Sequence, residues 1–420
     1  MRIIHTSDWH LGQYFFTKSR AAEHQSFLDW LIQQVEQHQV DALIVAGDIF
    51  DTGSPPSYAR ELYNRFVVAL QKTSCQLIIL GGNHDSVATL NESKQLLSCL
   101  NAQVFAAAES EAERQIVVLN QGQAPGAILC AVPFLRPRDI TVSRSGLSAT
   151  EKRQELQQAI SQHYQQLYQR AIDLRERLNV SVPIIMTGHL TTVGVSASDA
   201  ERDIYIGTLD AFPAACFPPV DYIALGHIHR AQCVAGQNHI RYSGSPIPLS
   251  FDELGADKSV FLLEFDQRSL TGVTTLTIPQ FQPMRLIKGD LAEIERQLAA
   301  YQTIVTDRPV WLDIEVNSQD YLGDLQRTIQ TLTAELPVEV ILLRRSKDQR
   351  QTMMQRQDKE TLAELTIDEV FQRRLALEDT IDDALNARLT QIFRQTVEEV
   401  SAQMENSAAQ EQNRQRLLGE

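Results

Sequence analysis

Residues 76–85 read QLIILGGNHD. Four aliphatic residues run into two glycines, and Asn83, His84 and Asp85 follow together. A short aliphatic run closed by glycine has the signature of a buried strand. Its ending carries side chains that bind metals or move protons. Taken alone, that ending is an ordinary turn, because Gly, Asn and Asp are common turn residues.

The pattern recurs, and the recurrence decides the matter. RIIHT (2–6) leads to Asp8 and His10, and ALIVA (42–46) to Asp48 and Asp51. PIIMT (183–187) leads to His189, and DYIAL (221–225) to His227 and His229. A sixth apolar run, AILCAV (127–132), is followed by PFLRPRD. Helical stripes lie between these runs: Phe27, Leu28, Leu31 and Val35 on one face, and Leu156, Ile160, Leu167, Ala171 and Leu178 on another. Strands alternating with helices predict an α/β layered core. In an open α/β sheet the carboxyl ends of parallel strands share one edge, so the five polar endings should converge on one pocket. Half of the ten histidines fall in these endings, which a chance scatter of D-x-H and G-H pairs would not produce.

Bulk composition sets the frame. A chain of 420 residues with 43% hydrophobic and 22% charged residues is globular and long enough for two or three domains. The N-terminus shows no secretory signal and no apolar run reaches membrane-spanning length, so a cytoplasmic protein is expected. Five cysteines without C-x-x-C spacing read as reduced thiols. The formal charge of −15 argues against nucleic-acid binding by bulk electrostatics, which needs clustered Lys and Arg. It leaves room for an acidic metal pocket working with a basic partner.

The donor set narrows the chemistry. Asp8, His10, Asp48, Asn83, His189, His227 and His229 offer oxygen and nitrogen ligands without thiolate. Seven exceed the needs of one ion, so two ions are implied, with Asp48 placed to bridge them. Such shells suit manganese, iron or zinc better than calcium or magnesium. Two ions roughly 3.5–4 Å apart clamp the attacking and leaving oxygens of a phosphoryl group. His84 is left over as a proton donor to the leaving oxygen, and Asp51 as the group that orients the His84 imidazole.

Beyond TIPQFQPM the texture changes. MRLIK (284–288), a helix with Leu291, Ile294 and Leu298, VWLDIEV (310–316), a helix around 320–335 and VEVILL (338–343) predict a small β-α-β-α-β domain. The basic stretch LLRRSKDQR (342–350) then leads into a proline-free region. There TIDE (366–369) forms a capping box. Val370, Phe371 and Leu375, then Ile381, Leu385, Leu389, Ile392, Phe393 and Val397, mark apolar helical faces. Such a hairpin packs either on its own domain or on a partner helix. The domain boundaries expected are 1–279, 280–345, 346–405 and a disordered tail at 406–420.

DWH, GDIFD, GNHD, GH and GHIH, in that order, resemble the five signature motifs of the calcineurin-like metallophosphoesterases. The resemblance implies a β-sandwich of two mixed sheets flanked by helices in place of a single open sheet, with a small α+β capping domain and a C-terminal helical segment. GDIFDTGSPPSYAR, GNHDSVATL, PFLRPRD, TGHLTTVG and YSGSPIPLSFDE extend it to the SbcD family of bacterial nuclease subunits, counterparts of the nuclease in the archaeal and eukaryotic break-repair complex. That family implies a manganese-dependent nuclease acting on double-stranded DNA ends 3′ to 5′ with ATP, and on hairpins and single strands. Its members pair with an SbcC-type coiled-coil ATPase as a homodimer within a heterotetramer, in DNA repair, replication and recombination. Carried over residue by residue, Asp8, His10, Asp48 and His229 hold one ion and Asp48, Asn83, His189 and His227 the other, with His84 catalytic. The region 280–345 becomes the capping domain, and the apolar stripe becomes the partner surface. The sequence departs at Asp51, where the archaeal and eukaryotic branch has histidine. Arg136, Arg138 and Arg230 are candidate DNA contacts. Two other functions share parts of the pattern: a small-molecule or protein phosphoesterase, and a non-catalytic scaffold. The roughly 140 residues past the catalytic region argue against the first, and the filled ligand positions against the second.

Overall fold

The computed structural model describes residues 1–109, 111–141, 148–196, 211–304, 306–317 and 322–345, with 371, 388–390, 392 and 393. Two compact units comprise Met1–Met284 and Arg285–Glu420.

The first unit is built on two six-stranded sheets. One contains β1 (Arg2–Thr6), β2 (Ala42–Val45), β3 (Gln76–Leu80), β4 (Ala102–Phe105), β11 (Ser259–Phe265) and β12 (Leu270–Thr277), in the order β12-β11-β1-β2-β3-β4. The other contains β5 (Ile116–Gln121), β6 (Ala124–Cys130), β7 (Ile184–His189), β8 (Tyr222–Gly226), β9 (Gln232–Val234) and β10 (Gln237–Tyr242), in the order β9-β10-β8-β7-β6-β5. Both sheets are mixed. β1 to β4 pair in parallel, and so do β6, β7, β8 and β10. The strands β11, β12, β5 and β9 add antiparallel edges.

The central strands are apolar on both faces because both faces are covered. Ile3, Ala42, Ile44, Ile78 and Leu80 meet Leu129, Ile185, Tyr222 and Ala224 between the sheets. Their neighbours Ile4, Leu43, Val45, Leu77 and Ile79 face the helical layer of α1 (Ala21–Gln37) and α2 (Ser57–Leu70). Across the sandwich, Ile184, Met186, Ile223 and Leu225 pack with Leu156, Ile160, Tyr164 and Leu167 of α3 (Ala149–Arg177). Each buried Val, Leu, Ile or Met among them contributes about 1.5–3 kcal/mol.

One polar residue bridges the inner core. His5 Nδ1 lies 3.0 Å from the Tyr222 hydroxyl and its Nε2 3.2 Å from the Leu225 carbonyl. The carbonyl can only accept, so Nε2 carries the proton and Nδ1 accepts from tyrosine. Burial pushes this imidazole down to about 3.

The second unit holds β13 (Met284–Gly289), α4 (Leu291–Ala299), β14 (Val310–Val316), α5 (Leu322–Thr333) and β15 (Val338–Arg345), with sheet order β13-β14-β15. Ile287, Ile294, Leu298, Leu312, Ile314, Leu325 and Ile329 form its core. Asp290 caps α4 by accepting the Glu293 N–H at 2.8 Å. Of the apolar stripe, Phe371, Leu389, Ile392 and Phe393 are described. Val370, Leu375, Ile381, Leu385 and Val397 lie outside the described residues, as do the expected boundary at 346 and the tail at 406–420. The Phe371 and Phe393 rings stack with centroids 3.8 Å apart, and Ile392 is 52% exposed. No helix among the described residues is long and apolar enough to cross a membrane.

Candidate metal centre

The polar endings do converge, but not along one sheet edge. Asp8, Asp48 and Asn83 follow β1, β2 and β3 of one sheet, whereas His189 ends β7 and His227 follows β8 of the other. The site therefore lies on a rim to which both sheets contribute. Continuous aliphatic runs mark a strand as buried without saying to which sheet it belongs, which is why the single-edge picture fails.

Backbone pairing carries on past the strands. Asp8 N donates to Gly47 O, His10 N to Asp48 O and Leu11 N to Ile49 O, at 2.9–3.0 Å. Trp9 points back into the helical layer against Phe27 and Phe66, its Nε1 donating to Thr6 Oγ1 at 3.0 Å. Asp8 and His10 on either side of it are thereby turned to the opposite face. The two sheets come close enough here to demand glycine. A Cβ on Gly47 would stand 2.2 Å from His189 Nδ1, and one on Gly226 2.0 Å from the Ala46 carbonyl.

Among the described residues three groups of ligand atoms result, each within 4.8 Å: Asp8, His10 and His229; Asp48, His189 and His227; and His10 and Asp48 again, with the less buried His84. The first two comprise six residues. All six residues are buried. Asp48 Oδ2 reaches both groups, 3.7 Å from His10 Nε2 and 3.2 Å from His189 Nε2. Asn83 Oδ1 lies 2.9 Å from His189 Nε2 and 3.2 Å from His227 Nδ1. His189 Nδ1 sits 2.9 Å from the Ala46 carbonyl, so its proton belongs on Nδ1 and its Nε2 lone pair faces two oxygen acceptors. Acceptors facing acceptors need a cation between them, either a proton or a metal ion. His10 Nε2 is buried without a hydrogen-bond partner, a further sign of a metal ligand, while its Nδ1 faces the Asp51 carboxylate. The donor set fits divalent ions.

Electrostatics agree. Burial works against a charged His189, but Asp48 and then Asp8 outweigh it and push the imidazole up to about 9. His10 is also raised, with hydrogen bonding to Asp51 and the nearby carboxylates overcoming burial. Burial and the His189 charge hold His227 well below its ordinary value. Although burial opposes it, the charge of His189 keeps Asp48 ionised far below the usual carboxylate range.

His84 sits beside these groups, its ring 4.7 Å from that of His10. Its backbone N donates to Asp48 Oδ1 at 2.9 Å. The Asp51–His84 contact runs through the main chain. His84 Nδ1 donates to Asp51 at 2.7 Å, but the acceptor is the main-chain carbonyl. The Asp51 carboxylate instead approaches His10, with Oδ1 3.3 Å from Nδ1. Residue 51 orients His84 through an atom every amino acid possesses.

Among the DNA-contact candidates, Arg136 is only 15% exposed. It donates to the Asp85 carbonyl at 3.2 Å and lies over the Phe134 ring. Arg138 is 78% exposed and Arg230 40%, each near an aspartate.

Two carboxylates acquire roles that the sequence did not suggest. Asp85 accepts the backbone N–H groups of Ile49, Phe50 and Gly82 at 2.9–3.1 Å, tying the β2 and β3 loops together. Glu253, wholly buried, lies with Oε1 3.2 Å from His229 Nδ1 and accepts from Lys258 on Oε2. Burial opposes its charge, but His229 and Lys258 hold it ionised well below the usual range. No spacing rule joins residue 253 to residue 229.

The calcineurin-like phosphoesterase family matches residues 1–231. The family described as the type 5 capsule protein repressor C-terminal domain, SbcD_C, matches residues 280–379. The SbcD subunit of nuclease SbcCD from Escherichia coli K12 is 58% identical over 405 residues, covering 96% of this chain and all of that protein. The proteins of the same name from Rhodobacter capsulatus and Bacillus subtilis are 34% and 28% identical, over 74% and 77% of this chain and 77% and 81% of their own lengths. Among solved structures, a dimetal phosphatase from Danio rerio aligns with 13% identity over 66% of this chain and 99% of its own, at a TM-score of 0.36, too low to carry an argument. With more than half its length matched by the phosphoesterase family and 96% of it paralleled at 58% identity, the chain belongs to the SbcD family of calcineurin-like phosphoesterases.

Proposed function

We propose that this chain is the nuclease subunit of an SbcC–SbcD-type complex and hydrolyses DNA phosphodiesters with two manganese ions. One observation carries the chemistry. Two buried ligand groups, Asp8/His10/His229 and Asp48/His189/His227, adjoin one another through Asp48 with His84 alongside. Asp8, His10, Asp48 and His229 would hold one ion, and Asp48, Asn83, His189 and His227 the other. Such ions supply positive charge to a phosphodiester and lower the pKa of water. The protein's own residues do the rest. The Asp51 carbonyl fixes the His84 Nδ1–H, leaving Nε2 to carry a proton to the departing sugar oxygen. Loops braced by Asp85 hold the ligands without rearrangement.

The identity to SbcD subunits of nuclease SbcCD, over the whole length of the Escherichia coli protein, supports DNA as substrate and an SbcC-type ATPase as partner. On this reading the polarity is 3′ to 5′ on duplex ends with ATP, and hairpins and single strands are cut internally. The protein works in the cytoplasm as a homodimer within a heterotetramer. Residues 280–345 are the capping domain of the SbcD family. Arg138 and Arg230, the more exposed arginines, contact phosphate, and the partner packs on the stripe that includes Ile392. The acidic total charge fits a chain whose partner provides much of the DNA-binding surface.

The test is cleavage of a labelled hairpin-ended duplex by the purified chain with Mn²⁺, with and without a co-expressed SbcC-type ATPase. Partner-stimulated cleavage is expected. Turnover of a simple phosphodiester without any DNA cleavage would refute the assignment.

A further inference from the structure

The two ligand groups are supported differently. Around Asp48, His189 and His227 the supports are main-chain or close to the ligands themselves. The Ala46 carbonyl takes His189 Nδ1–H, the His84 N–H holds Asp48 Oδ1, and His227 N donates to Asp8 Oδ1 at 2.9 Å. Around Asp8 and His229 a separate segment intervenes, running from Ser243 to Lys258 and lying outside the five signature motifs. Ser243 Oγ is 2.8 Å from Ser7 Oγ, which donates to Asp8 Oδ2 at 2.6 Å. Glu253 Oε1 faces His229 Nδ1. Glu253 Oε2 accepts from Leu249 N at 3.1 Å, from Ser245 Oγ at 3.2 Å and from Lys258. Lys258 Nζ also donates to the His229 carbonyl at 3.1 Å and to Ser245 Oγ at 2.7 Å.

We propose that Glu253, locked by Lys258, is the positioning residue for His229, and that the 243–258 segment supports one ion of the pair and not the other. The inference rests on the dinuclear reading above. A carboxylate can only accept, so Oε1 draws the proton onto His229 Nδ1 and leaves the Nε2 lone pair for a metal ion. Three donors converge on Oε2, which prevents the carboxylate from turning away. Lys258 grips the same histidine by its carbonyl, so ring and backbone are held by one charged pair.

The geometry makes the isosteric change a severe one. In Glu253→Gln the single amide oxygen is claimed by the three donors at the Oε2 position. The amide NH₂ then faces His229 Nδ1, which must accept, and the proton moves to the nitrogen a metal ion needs. Loss of such an outer partner costs 10–100-fold in metal affinity.

The full chain is titrated with MnCl₂ by calorimetry and followed by electron paramagnetic resonance, which distinguishes an exchange-coupled pair from an isolated ion. The unaltered chain should take up two ions. Glu253→Gln should retain one at unchanged affinity and bind the other 10–100-fold more weakly, the coupled spectrum giving way to that of a single ion. Glu253→Met/Lys258→Met removes both buried charges together and keeps the protein foldable should the single variant misfold. It should show the same selective loss. Two ions bound normally by the variants, or both weakened equally alongside a lowered melting temperature, would overturn the clamp alone. An unaltered chain that binds fewer than two ions would overturn the dinuclear reading and the clamp with it.

Discussion

Replacing His84 by alanine isolates the proton-transfer step. Its backbone N–H to Asp48 Oδ1, at 2.9 Å, survives the change, so the Asp48 carboxylate keeps its orientation. What disappears is the ring and its 2.7 Å hydrogen bond to the Asp51 carbonyl, worth about 1 kcal/mol of stability at a partly exposed position. The loss to catalysis should be far larger. A positioned general acid contributes about 10²–10⁴-fold, or roughly 2.7–5.4 kcal/mol of barrier. That penalty should appear only where the leaving oxygen needs a proton. Single-turnover rates with Mn²⁺ on duplex DNA should fall by about 10²-fold or more. Rates on bis(p-nitrophenyl) phosphate, whose leaving group departs without a proton, should fall much less. Metal uptake by calorimetry should be unchanged. Equal losses on both substrates would refute the proton-donor role. Loss of one ion would make His84 a ligand instead, since its ring nitrogen lies within 4.8 Å of the His10 and Asp48 ligand atoms.

Asp51→Ala should keep the leaving-group discrimination, because the carbonyl that orients His84 is main-chain. It should weaken manganese binding about tenfold through His10, and a variant with the substrate profile of His84→Ala would contradict the assignment. Chelation of the ions should lower the melting temperature. Saturation at a hundred times the dissociation constant adds about 2.7 kcal/mol per ion, and an unshifted melt with and without Mn²⁺ would count against the site. His5 supplies a pH test away from the metal ligands. Its folded value is lowered from 6.5 to about 3, so between these the unfolded chain binds the extra proton and stability falls as pH falls. By about pH 5 the loss is about 2 kcal/mol, and urea denaturation of His5→Gln should lack that share. An identical pH dependence in both proteins would show that His5 is not the group responsible.

Much of the site was legible because motif and strand coincide. Each buried aliphatic run is brief, and its polar ending sits at a strand terminus, so Asp8, Asp48, His189 and His227 could be placed without knowing which sheet each strand joined. The arrangement into two sheets was not legible from strand character, since β1 and β7 are equally apolar on both faces. Strands at or next to the sheet edges escaped for a related reason. β4 is four residues long, and β10 (QNHIRY) has the polar texture of a half-exposed strand. Roles played by main-chain atoms leave no trace in residue identity, so nothing in the aspartate at position 51 says that it meets His84 through its carbonyl. Glu253 was invisible for the opposite reason. Its side chain matters, but only the fold brings it to a histidine 24 positions away.

The strain in the site explains why so much support surrounds it. Asp8, His10, Asp48 and His227 all have positive φ, at 54°, 47°, 50° and 96°. Such conformations cost about 1–3 kcal/mol each in non-glycine residues, less for aspartate. All four belong to the ligand set, and none could relax independently. Asp8 and His10 are hydrogen-bonded to the β2 loop, and His227 N is held by the Asp8 carboxylate. Oxygen acceptors and imidazole lone pairs meet in that strained frame. The folding of two sheets thus bears the cost of convergence in advance. On the dinuclear reading, an incoming ion would meet candidate ligands that the rim of the sandwich already holds in place.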